Sequence, residues 1–188
     1  MGAGRGKQRR AAALGATAGE QVVSSLVAMP DGSKQWRVGG VLGGALHRVD
    51  GPAVEYANGW KEWFVDGRKH RVGGPAVEHS NSGEEWYLDG KLHRVGGPAV
   101  EYANGHREWW VDGRQHRVDG PAVEEDGSNA WYQNNQLHRV DGPAIEYADG
   151  SGVYYWYGEE VSVEEYRKAT ALYRLGAVQL GIPEKVSF

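Results

Sequence analysis

Five histidines recur at an almost constant spacing, which raises the question of metal binding. They are His47, His70, His93, His116 and His138, at intervals of 23, 23, 23 and 22 residues. If each interval adds two β-strands, equivalent residues lie about 10 Å apart. Zinc holds its donor atoms at about 2 Å, so equivalent histidines cannot share one ion. We therefore expect no metal site and no cofactor; a mixed site within one repeat, such as His70 with Asp66, is the alternative.

Carboxylates recur with the same period and could suggest acid–base catalysis. One ladder contains Glu55, Glu78, Glu101, Glu124 and Glu146, and a second contains Asp66, Asp89 and Asp112. General acid–base catalysis requires one site with shifted pKa values, whereas these ladders repeat one environment several times. The glycines form turn pairs, with no phosphate-binding or nucleophile motif. The pattern predicts structural roles and a protein that is not an enzyme.

Each histidine opens the phrase His-Arg-Val-Asp/Gly-Gly-Pro-Ala. A fixed period between 20 and 50 residues indicates a repeat architecture. The composition agrees, since 29 of the 188 residues are glycine and the apolar side chains include 8 Trp and 10 Tyr. Aromatic rings with polar tips require hydrogen-bond partners when they are buried.

One repeat, from Gly51 to Lys69, predicts two short strands. Ala53–Tyr56 forms the first, a turn around Gly59 follows, and Lys61–Val65 forms the second before the Asp66-Gly67 turn. The chain is therefore predicted to be all-β: an elongated solenoid of stacked antiparallel hairpins. It contains about five full hairpins after a degenerate first one, and extends about 55 Å.

The ends of the chain differ from the repeats. Residues 1–20 are predicted to be a disordered basic tail, because residues 1–19 carry four basic and no acidic side chains. Residues 21–158 form the array. Residues 159–188 form a capping helix and tail, with a capping box at Ser162–Glu165 and a helix end at Gly181-Ile182-Pro183.

Charge and composition narrow the classes of partner. Beyond residue 19 the chain has 17 basic and 25 acidic residues, so its net charge is −8. An acidic body is a poor match for nucleic acid, which we exclude as a partner of the repeats. No apolar run is long enough to span a membrane. The absence of cysteine excludes disulfides and is compatible with a cytoplasmic location.

The repeats resemble the MORN family. The resemblance rests on Gly-x-x-His-Arg-x-x-Gly, followed by a turn and an aromatic strand, and covers roughly residues 24–158. A variant with an HR-x-D-G-P-A core, found in phage, bacterial and large-virus proteins, is the most similar form. Usual MORN units have glycine where Arg48, Arg71, Arg94, Arg117 and Arg139 stand here. The resemblance implies a sheet of stacked hairpins that serves as a scaffold or adaptor; lipid binding has been proposed for some members.

The aromatic strand provides the candidate binding residues. Successive residues of a strand point to opposite faces. Trp63, Trp86, Trp109 and Trp131 therefore share one face, which we expect to be the core because their neighbours two positions on are mostly apolar. The other face carries Phe64, Tyr87, Trp110 and Tyr132. This second aromatic row is expected either to be covered by curling of the sheet or to form an exposed binding surface flanked by Arg71, Arg94 and Arg117.

The His-Arg pair is expected to be structural. Histidine would bond a turn carbonyl, and arginine would stack on the tryptophan of the next repeat. The glutamate after Pro-Ala-Val would pair with the arginine and neutralise it.

The function predicted from these features is a protein-binding or scaffold module. The alternatives are an inhibitor or immunity protein that blocks one enzyme, a protein that binds a small molecule, nucleotide or lipid, and a structural subunit of a virion or assembly. Oligomerisation through the open first hairpin would suit the last of these.

Overall fold

The computed structural model describes residues 23–39 and 43–176. The basic tail predicted at 1–20 lies outside the described residues, as does the chain after Gly176.

One long antiparallel sheet of twelve strands organises the chain, and neighbours along the sequence are neighbours in the sheet. Its strands are β1 Ser25–Ala28, β2 Lys34–Arg37, β3 Val54–Glu55, β4 Lys61–Glu62, β7 Val77–Glu78, β8 Glu84–Glu85, β11 Val100–Glu101, β12 Arg107–Glu108, β15 Val123–Glu125, β16 Ser128–Ala130, β19 Ile145–Glu146 and β20 Gly152–Val153. Eleven spacings of about 4.8 Å give a length of about 53 Å. The all-β prediction of stacked hairpins is confirmed.

Each full repeat adds a second, smaller hairpin that the sequence did not predict. These are β5 Phe64–Val65 with β6 Arg68–Lys69, β9 Tyr87–Leu88 with β10 Lys91–Leu92, β13 Trp110–Val111 with β14 Arg114–Gln115, β17 Tyr132–Gln133 with β18 Gln136–Leu137, and β21 Tyr155–Trp156 with β22 Glu159–Glu160. The predicted strand Lys61–Val65 is therefore interrupted at Trp63. There the backbone leaves the long sheet, and the Trp63 N–H donates to the Ala76 carbonyl while the Trp63 carbonyl accepts from His70.

The turns of the small hairpins follow the sequence signal. Asp66 and Gly67 both have positive φ, at 49° and 75°, as a two-residue hairpin turn requires. Asn134 and Asn135 adopt the same conformation in the fourth repeat, with φ of 51° and 69°.

The alanine after the proline of each full repeat is completely buried, and the prediction of a tryptophan core is wrong. Ala53, Ala76, Ala99, Ala122 and Ala144 are 0% exposed, whereas Trp63, Trp86, Trp109 and Trp131 are half-buried. The alanine backbone bonds both neighbouring segments, as in Ala76 N–H to Glu85 and Trp63 N–H to Ala76. A small side chain is favoured where three segments converge so closely. The larger indole rings lie nearer the surface.

The first repeat is degenerate but equivalent to the others. Trp36 in β2 accepts a backbone bond from His47, as Trp63 does from His70. Strand β1 forms the edge of the sheet.

Helix α1, Val163–Arg174, closes the other end. Ser162 and Glu165 form the predicted capping box, and Tyr166, Ala169 and Thr170 are buried on the predicted face. The expected end near Gly181 is wrong, because the helix stops at Arg174 and Gly176 adopts a left-handed φ of 68°.

Candidate protein-binding surface

The histidines link each loop to the small hairpin of the following repeat. The backbone N–H of Asp66 donates to His47 Nδ1 at 3.2 Å, and the Asp66 carboxylate lies 2.9 Å from the same nitrogen. His70 pairs with Asp89, at 2.8 Å, and not with Asp66. In place of the expected turn carbonyl, the histidine Nδ1 accepts from a turn N–H, and a nitrogen that accepts this bond cannot also donate to the carboxylate. The histidines connect neighbouring repeats.

The arginines cover the tryptophans. The guanidinium of Arg71 lies 3.8 Å from the ring centroid of Trp63, and Arg117 lies 3.8 Å from Trp109. Arg48, Arg94 and Arg139 stack in the same way on Trp36, Trp86 and Trp131. Each arginine therefore stacks on the tryptophan that precedes it, not on that of the next repeat, because the small hairpin returns the chain to the same tryptophan.

Four of these five arginines also pair with the glutamate that follows Pro-Ala-Val, as expected. The pairs are Arg48–Glu55, Arg71–Glu78, Arg117–Glu124 and Arg139–Glu146, at 2.7 to 3.5 Å. The exception is Arg94. Its expected partner Glu101 pairs with Arg107 at 2.8 Å, and Arg94 donates to the carbonyl of Pro98. Among the described residues, Arg94 is the one loop arginine with no carboxylate in ion-pairing contact.

The second aromatic row is half-buried. The Tyr87 hydroxyl donates to Glu85 at 2.9 Å, and Trp110 Nε1 donates to Glu108. Glu85 and Glu108 alternate with Val77 and Val100 across the sheet. The polar groups of Tyr87 and Trp110 therefore bond partly buried carboxylates within the molecule. Its role as a partner-binding site, with Phe64 and Tyr132, stays a prediction.

Glu85 is the centre of this internal network. Burial acts to raise its pKa, but hydrogen bonds from His79, Tyr87 and Tyr102 outweigh burial and hold it below the ordinary value. Burial, together with the Glu85 charge, raises the pKa of Tyr102 to about 12. The carboxylate is thus stabilised as an anion by fixed donors. This arrangement suits a structural role better than proton transfer.

The exposed counterpart is a row of valines from the His-Arg-Val phrase. Val49, Val72, Val95 and Val118 are 81–85% exposed and recur once per repeat. We call these four residues the valine row. Single exposed valines are ordinary, but these four occupy equivalent loops in line along the array. The valines recur with the period of the repeats, and this period is the sequence signal for the row.

An open cleft of about 620 Å³ lies between the first two loops of this row. Its lining includes Val49, Trp63, Val65 and Val72, together with the charged residues Arg48, Asp50 and Arg71. The cleft therefore combines apolar side chains with two arginines and one aspartate. It can accept an apolar side chain and place a polar group beside it.

The equivalent surface of the last repeat is covered by α1. Val140 is half-buried against the cluster that contains Tyr166 and Ala169. The ring of Tyr166 packs on Tyr154 at 4.7 Å, in the place where an arginine covers tryptophan elsewhere. The backbone N–H of Gly142 donates to the Tyr166 hydroxyl at 2.8 Å.

Residues 23–39 and 43–176 contain no group of three or more His, Asp or Glu side chains that could hold a metal ion. They also contain no helix long and apolar enough to cross a membrane. Comparison with protein-family models finds no match for this chain, and comparison with the curated proteins finds none.

Proposed function

We propose that this chain is a non-enzymatic protein-binding module, a MORN-like repeat scaffold of the cytoplasm, and that its contact surface is the valine row. The observation that carries the proposal is a contrast in exposure. The valines of the row are 81–85% exposed, whereas Val140, at the equivalent position of the last repeat, is covered by α1. Burying a valine side chain contributes about 1.5 kcal/mol or more, so four regularly placed valines can supply useful binding free energy.

The surroundings of the row suit a protein partner. The arginines beside it are held by stacking on tryptophan, so they lose little conformational freedom on binding. Arginine and tryptophan are common in the energetic centres of interfaces. The regular repeat provides several equivalent contacts in line.

The test compares capture of proteins from native-host lysate by three forms of the chain. One is intact, one carries Val49, Val72, Val95 and Val118 replaced by serine, and the control carries Val23→Ser and Leu175→Ser, which remove exposed apolar groups away from the row. Circular dichroism must show all three folded. A partner captured by the intact and control chains and lost from the row variant supports the proposal.

Capture that survives in the row variant would reject the valine row and return attention to the second aromatic row. If the captured partner is an enzyme and its activity falls on binding, the protein is an inhibitor or immunity protein.

Self-association through the edge strand is a second candidate. Ser25–Ala28 carries no charged residue, and Leu26 is 56% exposed. Uncharged edge strands invite pairing with another chain. Light scattering should show a dimer that Leu26→Lys returns to a monomer; a monomer at all concentrations would reject this candidate.

A further inference from the structure

We propose that the valine row binds an α-helix of a partner protein, which carries large apolar side chains seven residues apart and a carboxylate facing Arg94. This inference rests on the proposed function and names the kind of partner.

Helix α1 provides the template within the molecule. It covers Val140, and its Tyr166 hydroxyl accepts a hydrogen bond from the N–H of the loop glycine Gly142. The loops of the inner repeats present the same Val-Asp/Gly-Gly sequence. Their glycine N–H groups, such as those of Gly51 and Gly97, have no hydrogen-bond partner among the described residues. The valine row therefore continues, along the array, an interface that a helix already occupies.

The spacing of the row fits a helix. Each repeat adds two strands to the long sheet, so successive valines lie about 10 Å apart. Seven residues of an α-helix rise about 10.5 Å and return to nearly the same face. Residues two or four apart on a β-strand are spaced about 6.6 or 13 Å and do not match. Because sheets twist, a straight helix should follow two or three loops.

Arg94 gives the valine row a preference for a negatively charged group on the partner. It lies between Val72 and Val118 in the array, stacks on Trp86, and lacks the carboxylate partner that the other loop arginines have. Its loop and the preceding one carry Gly96 and Gly73 where other loops carry aspartate. The positive charge of the loop arginines is therefore least neutralised in the middle of the row. A partner carboxylate there would supply the ion pair that the other loop arginines already have.

The probe is a side-chain-bridged helical peptide with the sequence of residues 161–176, labelled for fluorescence anisotropy. It carries Tyr166 and Tyr173, which are seven residues apart. The control peptide exchanges Thr170 with Tyr173, so that the composition is unchanged and the tyrosines are four residues apart. We expect the intact chain to bind the probe, and the control peptide to bind about tenfold more weakly.

Variants of the chain locate the binding. Val72→Ser with Val95→Ser should weaken binding of the probe about tenfold, since both substitutions remove apolar contact from exposed positions. Arg94→Ala should weaken it about fivefold, and the matched Arg117→Ala should change it less than twofold. Equal binding by the valine variant would overturn the proposal, because the probe would then be exchanging with α1 at the end of the array.

The outcomes separate this inference from the proposed function. If neither peptide binds the intact chain but capture from lysate still requires the valine row, the helix is wrong and the protein-binding surface stands. If capture is also independent of the row, both are wrong. Self-association that depends on Val72 and Val95 would make a second copy the occupant and would overturn the partner helix.

Discussion

The inner repeats and the closing repeat use different side chains to cover two positions, that of the tryptophan and that of the histidine. In the inner repeats an arginine covers the tryptophan and an aspartate lies against the histidine. In the closing repeat Tyr166 of α1 packs on Tyr154, and Tyr157 stacks on His138 at 3.8 Å. The inner repeats therefore use charged groups that remain partly in water, whereas the closing repeat uses aromatic rings that are buried.

The difference shows where the array ends. Ser162, the N-cap of α1, stands 23 residues after Arg139, at the position of the next loop arginine. Replacing the arginine by a helix start redirects the chain over the last loop. The inner loops, which keep their arginine, leave their valines exposed for another molecule.

The largest effect is expected at the closing repeat. Tyr166→Ala should lower the free energy of unfolding by about 3–5 kcal/mol, because it removes the buried ring that joins α1 to Tyr154 and Gly142. Guanidinium denaturation measures this change. Tyr166→Phe, the control, should cost only about 1 kcal/mol, for the lost hydrogen bond. Equal losses for both variants would show that the hydroxyl, and not the ring, holds the helix.

His138 should make the closing repeat sensitive to acid. Burial lowers its pKa to about 4, against 6.5 in the unfolded chain. Below pH 6.5 the unfolded chain therefore binds a proton that the folded chain does not. Stability is full above pH 6.5 and falls as pH drops toward 4, by about 3 kcal/mol in total.

Urea unfolding between pH 7 and 5 measures this loss before most carboxylates titrate. His138→Phe keeps a ring at the position and should remove about 2 kcal/mol of the pH dependence in that range. An unchanged slope would mean that other groups cause the acid sensitivity.

Arginine removal should cost less in the inner repeats. Arg117→Ala removes the stack on Trp109 and the pairs with Asp119 and Glu124, and should lower the free energy of unfolding by about 1–2 kcal/mol. Arg94→Ala leaves no carboxylate unpaired and should cost about 0.5–1 kcal/mol. Thermal denaturation of the two variants provides the comparison. If Arg94→Ala lowered the free energy of unfolding more than Arg117→Ala, it would contradict the finding that Arg94 has no carboxylate in ion-pairing contact.

The smallest effect concerns a defect among the inner repeats. Glu84 lies directly between Glu78 and Glu101 in the sheet, at the position of Lys61 and Arg107 in neighbouring repeats. Glu84→Lys should therefore raise the free energy of unfolding by about 0.5 kcal/mol, and by less in high salt. The reverse change, Lys61→Glu, should lower it by a similar amount. A salt-independent gain at position 84 would point to packing instead of charge.

The sequence predicts the parts of this fold that depend on local chemistry. The 23-residue period, the Asp66-Gly67 turn and the capping box at Ser162 are all confirmed, because each depends on backbone preferences of a few adjacent residues. The fifth-repeat assignment of Tyr154 to the tryptophan position is confirmed by its backbone bond from Val161.

The errors concern contacts between segments. The interruption at Trp63 and the return strand Arg68–Lys69 follow from bonds to neighbouring repeats, which no local pattern reveals. The large tryptophan rings were predicted to form the core. They are excluded from it because three segments converge closely at Ala76, where a small side chain is favoured. The valine row was visible as a period, but its exposure could be judged only once the loops were in place.

The long sheet also determines how the molecule would respond to force. Its strands run across the array, so tension applied between the two ends pulls neighbouring strands apart a few hydrogen bonds at a time, without shearing a whole row together. Releasing one repeat converts about 10 Å of array into up to about 80 Å of extended chain. Stretched in an optical trap, the protein should lengthen at low force in steps of about 70 Å. Its total extension would then be determined by the number of repeats. A single high-force rupture would contradict this behaviour.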